Sequence, residues 1–291
     1  MVKHLVLFVS VLFVFGCKES LPPINFDEDL TLLKDTTYVL AEGDIPAAED
    51  QTIVVEDLTG VRCSNCPKAA ETAKNIKDQF GSKAVVIGIY PEEPKNLAFP
   101  YPGFPDLRTK VSQQVAADIF QFSNQLPGGG VNRRKFSGQT AINNSFNTWV
   151  NSSNIVDGEK SAINLSLDKR AVNDSTYELL GEFVFFGDVV GEPFVSIFLL
   201  ENNIAHPQTT NTGTNNEYVH QHVLRSMYTP YNGSPLGLAV NEISRGVVVE
   251  RGWEIVLPNN VIKDESSLVV MLNYNLPDNK EVLQCKEIKL K

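Results

Sequence analysis

Residues 63–67, Cys-Ser-Asn-Cys-Pro, constrain the fold of this chain most, because they join a strand-like segment to a helix-like one. The strand candidate, residues 53–58, is rich in β-branched side chains. The helix candidate, residues 66–80, has Pro67 in its first turn, where a missing N–H costs little. A thiol at a helix start faces unpaired N–H groups and the positive end of the helix dipole, which favour the reactive thiolate. The junction therefore predicts redox chemistry.

Three interpretations of the cysteine pair stay open. In the first, Cys63 is the nucleophile, and Cys66 attacks the resulting mixed disulfide to release the product. In the second, the pair is a static disulfide that closes one turn. In the third, it is half of a metal site, although no second pair of cysteines completes it.

The N-terminus predicts export and lipidation. Residues 1–16 combine an early lysine with a short apolar run that is too short to span a bilayer, as in a signal peptide. Their end, Val-Phe-Gly followed by Cys17, resembles a bacterial lipobox, which implies cleavage before Cys17 and a lipid on that residue. An uncleaved anchor is the alternative. Residues 17–50 are acidic and carry a Pro-Pro pair, so we expect a solvated tether, whose apolar clusters at 30–33 and 38–40 could dock on the body.

Charge and cysteine content narrow the class of protein. The net charge of -10 at pH 7 argues against nucleic acid as a partner and against docking on anionic lipid. The lipid, rather than charge, must then hold the protein at a membrane. With Cys17 lipidated, three of the four cysteines remain. Cys63 and Cys66 form the obvious pair, and Cys285 is expected to be a buried, inert thiol.

Hydrophobic periodicity divides the mature chain in two. Residues 51–157 indicate an α/β domain, with a strand covered on both faces at 84–90 and helices at 111–122 and 141–150. Residues 158–291 show strand patterns separated by turn residues, which indicates an all-β, immunoglobulin-like sandwich. The strand candidates are 177–186, 194–200, 218–228, 247–257, 268–274 and 282–290. The halves are expected to be separate domains.

The order of elements in the first half resembles the thioredoxin fold. A strand, a Cys-x-x-Cys opening a helix, a second strand, another helix and a proline-bearing turn follow one another. The resemblance implies that Pro127 is the cis-proline that orients a bound peptide beside the cysteines. Typical thioredoxins carry Trp before the first cysteine and Gly-Pro between the two, whereas this chain has Arg62 and Ser64-Asn65. The direction of electron flow therefore stays open.

A closer resemblance covers nearly the whole mature chain. The motifs are Glu-Asp-Leu-Thr-Gly-x-x-Cys-x-x-Cys-Pro at 56–67, Pro127 with Arg133, Glu-Asn-Asn-Ile at 201–204 and His-Gln-His-Val-Leu-Arg at 220–225. Together they resemble the Omp28 outer-membrane lipoprotein family of Bacteroidetes. The resemblance implies a thioredoxin-like domain followed by a β-sandwich, and an outer-membrane or surface location. It implies no settled activity.

Further residues are candidates for the site. Asp57 lies six residues before Cys63, as a buried acid does in thioredoxins, so Asp57 or Glu56 could transfer protons near the second thiol. A capping or surface carboxylate is the more ordinary interpretation. The loop 91–105 should emerge at the same sheet edge as the cysteines. It could form a peptide-binding lip or pack on the second half, and the residues proposed to bind substrate are Arg62, Phe99, Tyr101 and Phe104.

The two histidines His220 and His222 are weak metal candidates. At i and i+2 on a strand they would share a face, but no third ligand lies nearby in the sequence. A structural role is favoured, and no metal is predicted.

Two functions compete at this stage. The first is a lipid-anchored thiol–disulfide oxidoreductase acting on envelope proteins or peptides, with no cofactor beyond the Cys63–Cys66 disulfide. The second is a surface binding or adhesion lipoprotein in which that disulfide is structural. Both place the chain at the outer membrane, on its periplasmic face or at the cell surface.

Overall fold

A computed structural model describes residues 31–291 except 124 and 188. Cys17 and its predicted lipid site lie outside the described residues. The strands are β1 Leu32–Val39, β2 Ile53–Leu58, β3 Ala84–Ile89, β4 Gly128–Val131, β5 Ile163–Ala171, β6 Thr176–Phe185, β7 Pro193–Glu201, β8 Ile204–Ala205, β9 Gln208–Thr210, β10 Gly213–Asn215, β11 Val219–His220, β12 Val223–Met227, β13 Ser234–Pro235, β14 Val247–Val256, β15 Ser266–Tyr274 and β16 Val282–Lys289. The α-helices are α1 Cys66–Phe80, α2 Lys95–Ala98, α3 Lys110–Gln114 and α4 Trp149–Val156; Val115–Ile119 extends α3 as a π-helix. Short 3-10 turns cover Glu42–Asp44, Gly81–Lys83, Phe146–Thr148, Val240–Glu242 and Lys263–Glu265.

The larger sheet has eight strands in the order β16-β15-β7-β12-β3-β2-β4, with β13 paired to β7. Strands β2 and β3 run parallel and are buried along their full length. For β3 this confirms the burial on both faces that its continuous apolar run predicted. Strand β4 runs antiparallel to β2. Helix α1 covers the predicted residues, and Gly81 ends it with a φ of 58° that suits glycine.

The second sheet has the order β1-β14-β6-β5. Its inner face meets the larger sheet through one apolar cluster, which includes Phe183 and Trp253 from the smaller sheet and Ile197 and Val270 from the larger. The opposite face of the larger sheet is also covered. There α3 and its π-helical extension pack on Val54 and the strands beside it. The fold is therefore mixed α/β with a large share of sheet.

Strand β2 presents its two faces to different helices. Ile53 and Val55 lie in a cluster with α1 and α4, whereas Val54 and Leu58 lie in a cluster with α3. Both clusters are apolar, so the central strand is a rigid support for the turn that follows it. Within the described residues, no helix is long and apolar enough to cross a membrane.

The sequence-based expectation of two separate domains needs correction. Strand β12, from the second half, joins the parallel part of the sheet where Val223 pairs with Gly88. The amide of Val282 also donates to the carbonyl of Asn132, on the first half, at 3.0 Å. A single sheet thus runs across the predicted boundary at 157/158.

Within the predicted tether, residues 17–50, strand β1 docks on the body at the apolar clusters, but residues 34–37 between them, expected to be solvated, also pair with β14. This strand pairs antiparallel with β14 along the edge of the smaller sheet. Its charges suit that position, because Asp35 lies 2.7 Å from Arg251 and Lys34 lies 2.7 Å from Glu250. Opposite charges across neighbouring strands stabilise the pairing, so an acidic segment can still form an exposed edge strand.

Two further predicted elements differ from the structure. The helix expected over 141–150 begins only at Trp149, because Asn143 and Asn144 hydrogen-bond to β4 instead of continuing a helix. Asn143 Oδ1 accepts from the amide of Gly129 at 2.9 Å. The strand expected over 218–228 is interrupted between β11 and β12, where His222 has a left-handed φ of 55°.

Candidate functional site

The cysteine pair closes the turn between β2 and α1. Cys63 and Cys66 form a disulfide with a Cα–Cα distance of 5.4 Å. Cys66 is the first residue of the 15-residue helix α1, so it lies among the unpaired amides of the first turn. Both residues are almost fully buried, with exposed fractions of 2% for Cys63 and 1% for Cys66. The disulfide is therefore an internal feature of this conformation.

Asp57 lies in β2, just before the cysteine turn, and is 3% exposed. Burial raises its pKa to about 8, because the charged form loses its hydration. Its Oδ1 atom has no hydrogen-bond partner among the described residues. The more ordinary interpretation of Asp57 as a capping or surface carboxylate is thus wrong. Near neutral pH this carboxyl can hold or release a proton.

Glu56, the other acid considered for proton transfer, forms a buried ion pair. Arg133 donates to it from Nε at 2.8 Å and from Nη2 at 2.7 Å. Both side chains are completely buried. A two-pronged bond of this kind fixes the carboxylate, so Asp57 is the better candidate for moving a proton.

A cavity of about 570 Å³ lies between α1, the strands β2 and β3, and residues 218–222. Its inner wall includes Asp57, Cys66 and Tyr90, all buried. Tyr90 has a pKa well above its usual value, mainly through burial and secondarily through the charge of Asp57. Its outer wall includes half-buried or exposed residues of α1, among them Ala70 and Lys74. The cavity therefore leads from the helix surface to the cysteine turn and the buried acid.

The other side of the turn is covered by the β9–β10 hairpin, residues 208–215. The amide of Thr209 donates to the carbonyl of Val61 at 2.8 Å. Gln208 Nε2 donates to the carbonyls of Cys63 at 3.0 Å and of Gly60 at 3.2 Å. These bonds hold a segment of the second half directly on the cysteine turn.

The Leu126–Pro127 peptide bond is cis, and β4 starts directly after it. Gly128 pairs with Leu58 at the end of β2, which places Pro127 beside the start of the cysteine turn. Gly129 follows with a φ of 128°, and a Cβ there would lie 1.9 Å from the carbonyl oxygen of Glu56. The triple glycine thus permits a close backbone approach. The role of Pro127 in orienting a substrate stays a prediction.

Comparison with known proteins identifies the family. The family described as Outer membrane protein Omp28 matches residues 117–291, more than half of the chain. The chain belongs to the Omp28 family. The matched residues begin after the cysteine turn, so the match includes the hairpin and the histidines but not the disulfide. Among curated proteins, none matches.

Three solved structures resemble this Omp28 chain. HBP35 of Porphyromonas gingivalis aligns with a TM-score of 0.64 at 15% identity, over 84% of this chain and 76% of that one. Protein AGR_C_4864 from Agrobacterium tumefaciens aligns with a TM-score of 0.53 at 14% identity, over 84% and 97%. A domain of the outer membrane lipoprotein Omp28 from Porphyromonas gingivalis aligns with a TM-score of 0.29 at 14% identity, over 44% and 88%. At such identities the first two concern the fold alone.

Arg62 holds the proline-rich loop of this Omp28 protein. Its Nε donates to the carbonyl of Phe99 at 2.8 Å and its Nη2 to that of Pro100 at 3.0 Å. Its guanidinium lies 4.2 Å from the centre of the Tyr101 ring. Arg62 therefore ties the loop to the cysteine turn, and its guanidinium is already engaged by these contacts.

The aromatic residues of the proline-rich loop contact the second half of the chain, but two of their rings stay partly exposed to solvent. The hydroxyl of Tyr101 lies 2.6 Å from Thr209 Oγ1, so the loop packs on the β9–β10 hairpin. Phe104 lies 5.3 Å, ring centre to ring centre, from His206. Phe99 and Phe104 nevertheless remain 52% and 42% exposed. The loop thus packs on the second half, and a role of its exposed rings in substrate binding stays a prediction.

His220 completes its hydrogen bonds within the protein. The hydroxyl of Tyr90 lies 2.8 Å from His220 Nδ1, and His220 Nε2 lies 3.2 Å from the carbonyl of His206. A neutral ring that donates from Nε2 and accepts at Nδ1 satisfies both contacts. Burial is the main reason that its pKa falls to about 4, and the charge of His206 adds to the effect. These bonds support the structural role.

Contrary to the prediction, His220 and His222 do not lie on one strand, because β11 ends at His220, but both line the cavity beside α1. Within residues 31–291, excluding 124 and 188, no group of three potential metal-ligating side chains occurs. Cys285 is buried, as expected, and burial holds its pKa well above the usual value.

Sequence reasoning missed Gln208 and Tyr90. Gln208 lies 145 residues from Cys63 along the chain, so no local sequence pattern predicts its contact with the cysteine turn. Tyr90 gave a weak signal, because it follows the apolar run of β3 and so belongs at the same sheet edge as the cysteines.

Proposed function

We propose that this protein is an outer-membrane lipoprotein, anchored by a lipid on Cys17, whose Cys63–Cys66 disulfide exchanges with thiols. In this proposal residues 51–157 form a thioredoxin-like unit, and residues 158–291 with β1 form an immunoglobulin-like sandwich. The strand order β3-β2-β4 and the helix that opens at Cys66 support the first assignment. The two facing sheets support the second.

The observation that carries exchange chemistry is the buried carboxyl of Asp57 beside Cys66. Burying a carboxyl without a full set of hydrogen-bond partners lowers stability. A disulfide that only closes a turn does not require such a carboxyl beside it. Asp57 and Cys66 line the same cavity. A carboxyl with a pKa of about 8 can supply a proton to a departing thiolate or take one from a thiol near neutral pH. The two cysteines supply the attacking and resolving thiols, and Pro127 stays the proposed substrate-orienting residue.

A redox titration of the full chain tests this proposal. We expect the Cys63–Cys66 couple to equilibrate with glutathione mixtures, with a potential above about -300 mV, as in disulfides that take part in exchange. A potential below that value would make the bond structural. The variant Asp57→Asn should retain the disulfide but slow its exchange near neutral pH, because the proton donor is lost.

A second function, a binding lipoprotein with a structural disulfide, is favoured by one observation. Both cysteines are nearly inaccessible, and the β9–β10 hairpin is bonded to their turn. The exposed rings of Phe99 and Phe104 would then belong to a contact surface. The same titration separates the two functions, because only the first requires a couple that responds to thiols.

A further inference from the structure

The two sides of the disulfide differ in how a substrate could approach. On the Cys63 side, the β9–β10 hairpin and the proline-rich loop form a continuous cover, joined by the bond between Tyr101 and Thr209. The hairpin is itself bonded to the carbonyl of Cys63 through Gln208. A folded protein cannot bring a thiol to Cys63 while this cover is in place.

The Cys66 side opens on the cavity of about 570 Å³, within the usual range for small-molecule pockets. Cys66 lies in its lining and Cys63 does not. The unpartnered Oδ1 of the buried Asp57 belongs to the same lining. The outer wall carries Lys74 and Glu71, so polar solutes can enter from the surface of α1.

We propose that the substrate of this disulfide is a low-molecular-mass thiol, which enters the cavity and attacks Cys66 Sγ. This inference rests on the proposed exchange function and names its substrate class. It differs from the sequence-based expectation, in which Cys63 meets a protein or peptide. Protein substrates would require the hairpin to leave the turn, whereas a small thiol would not.

The reaction balances without a further reactant. A thiolate attacks Cys66 Sγ, the Cys63–Cys66 bond breaks, and Cys63 leaves as a thiolate while a mixed disulfide forms on Cys66. A second small thiolate attacks the small-molecule sulfur of that mixed disulfide, which releases the small disulfide and the Cys66 thiolate. The carboxyl of Asp57 protonates Cys66, and the protons released by the two small thiols restore Asp57 and protonate Cys63. Two electrons pass from two small thiols to the protein, and a small disulfide reverses the sequence.

The test compares two reductants on the full, oxidised chain. Free cysteine serves as the small thiol and a reduced thioredoxin as the protein dithiol, at equal thiolate concentration. Alkylation and peptide mass mapping locate the mixed disulfide formed by cysteine and follow the loss of the Cys63–Cys66 bond. We expect the cysteine adduct on Cys66, and reduction by cysteine to be at least about tenfold faster than by thioredoxin.

A cavity-filling variant adds a matched comparison. Ala70→Trp places a large side chain in the outer wall, and Lys68→Trp places the same side chain on α1 outside the lining. Ala70→Trp should slow reduction by cysteine by about tenfold, since access governs exchange, and Lys68→Trp should not change it.

The outcomes separate the inference from the function on which it rests. An adduct on Cys63, or faster reduction by thioredoxin with no effect of Ala70→Trp, would overturn the small-thiol assignment and leave exchange intact. Resistance to both reductants would overturn exchange itself. The mapping uses the unmodified chain, so it decides the matter even if Ala70→Trp does not fold.

Discussion

The two faces of β2 bury adjacent acids in opposite ways. Glu56 points to the α3 face, where Arg133 binds both of its oxygens. Asp57, the next residue, points to the α1 face because side chains alternate along a strand. There it lines a cavity and leaves Oδ1 without a partner among the described residues. Burial is common to both, so burial alone does not mark a reactive group.

Hydrogen-bond partners and access to a cavity distinguish a buried charge that stabilises the fold from a buried group that can react. The ion pair engages both oxygens of Glu56, although Arg133 Nη1 has no partner among the described residues, and it therefore fixes the carboxylate and opposes proton transfer. A buried acid that lacks a hydrogen-bond partner lowers the stability of the fold. When it also lines a cavity near a disulfide, it is placed to transfer protons in a reaction. The predictions below test each side of this contrast.

The largest effect is expected from Arg133→Met, which leaves Glu56 charged and unpaired in the core. Removing one partner of a buried ion pair costs about 3–5 kcal/mol of unfolding free energy. Urea unfolding measures the loss. The control is Arg134→Met, whose partially exposed pair with Glu159 should contribute less than about 1 kcal/mol. Equal losses in the two variants would contradict the structural role of the buried pair.

On the opposite face, Asp57→Asn should stabilise the protein at neutral pH. The pKa of Asp57 is about 8 in the fold, against an ordinary value of 3.8 for this side chain. The folded state therefore holds a proton that the unfolded state releases, and stability falls as pH rises from 3.8 to 8. The variant lacks this penalty and should gain about 4 kcal/mol at pH 7.

The check is urea unfolding of both proteins at several pH values. The difference between variant and parent should be small at pH 4, widen up to pH 8 and then stay constant. A difference that does not change with pH would show that Asp57 does not titrate as an isolated buried acid.

Part of the arrangement around these two acids could be predicted from the sequence. The six-residue spacing from Asp57 to Cys63, the bounds of α1 and the apolar runs of β2 and β3 are local patterns, and the structure has these elements. The hairpin that covers the cysteine turn could not be predicted, because Gln208 contacts the turn from a distant part of the chain. Likewise, Asn143 and Asn144 bind the edge strand β4 instead of continuing a helix, and no local propensity encodes that choice.

His220, in the cavity wall on the Asp57 face, provides an opposite pH dependence. Its pKa is about 4 in the fold, against an ordinary value of 6.5 for histidine. The folded state therefore excludes a proton that the unfolded state binds, and stability is lost as pH falls from 6.5 to 4. His220→Gln keeps a donor and an acceptor but cannot titrate, so at pH 5 it should be spared a loss of about 2 kcal/mol.

Urea unfolding at pH 7 and pH 5 measures this effect. The parent should lose more stability than the variant between these two values, after the baseline cost of the substitution at pH 7 is subtracted. Equal losses would mean that the ring is protonated in the fold at pH 5, in conflict with its bonds to Tyr90 and His206.

The smallest effect on stability is expected from Gln208→Ala, which loosens the cover on the Cys63 side. Losing its hydrogen bonds to the turn should cost about 1 kcal/mol, whereas Gln79→Ala on the exposed face of α1 should change stability by less than about 0.5 kcal/mol. The informative measurement is kinetic. Reduction of the disulfide by a protein dithiol should accelerate in Gln208→Ala, because the hairpin opens more often. Gln208 also lines the cavity, so the comparison of the two reductants uses Thr209→Ala, which removes the bond to Tyr101 and lies outside that lining. In Thr209→Ala the protein dithiol should again react faster, while reduction by free cysteine should stay the same. If both rates rise together, the two faces are not separate routes to the disulfide, and the hairpin controls access to the whole turn.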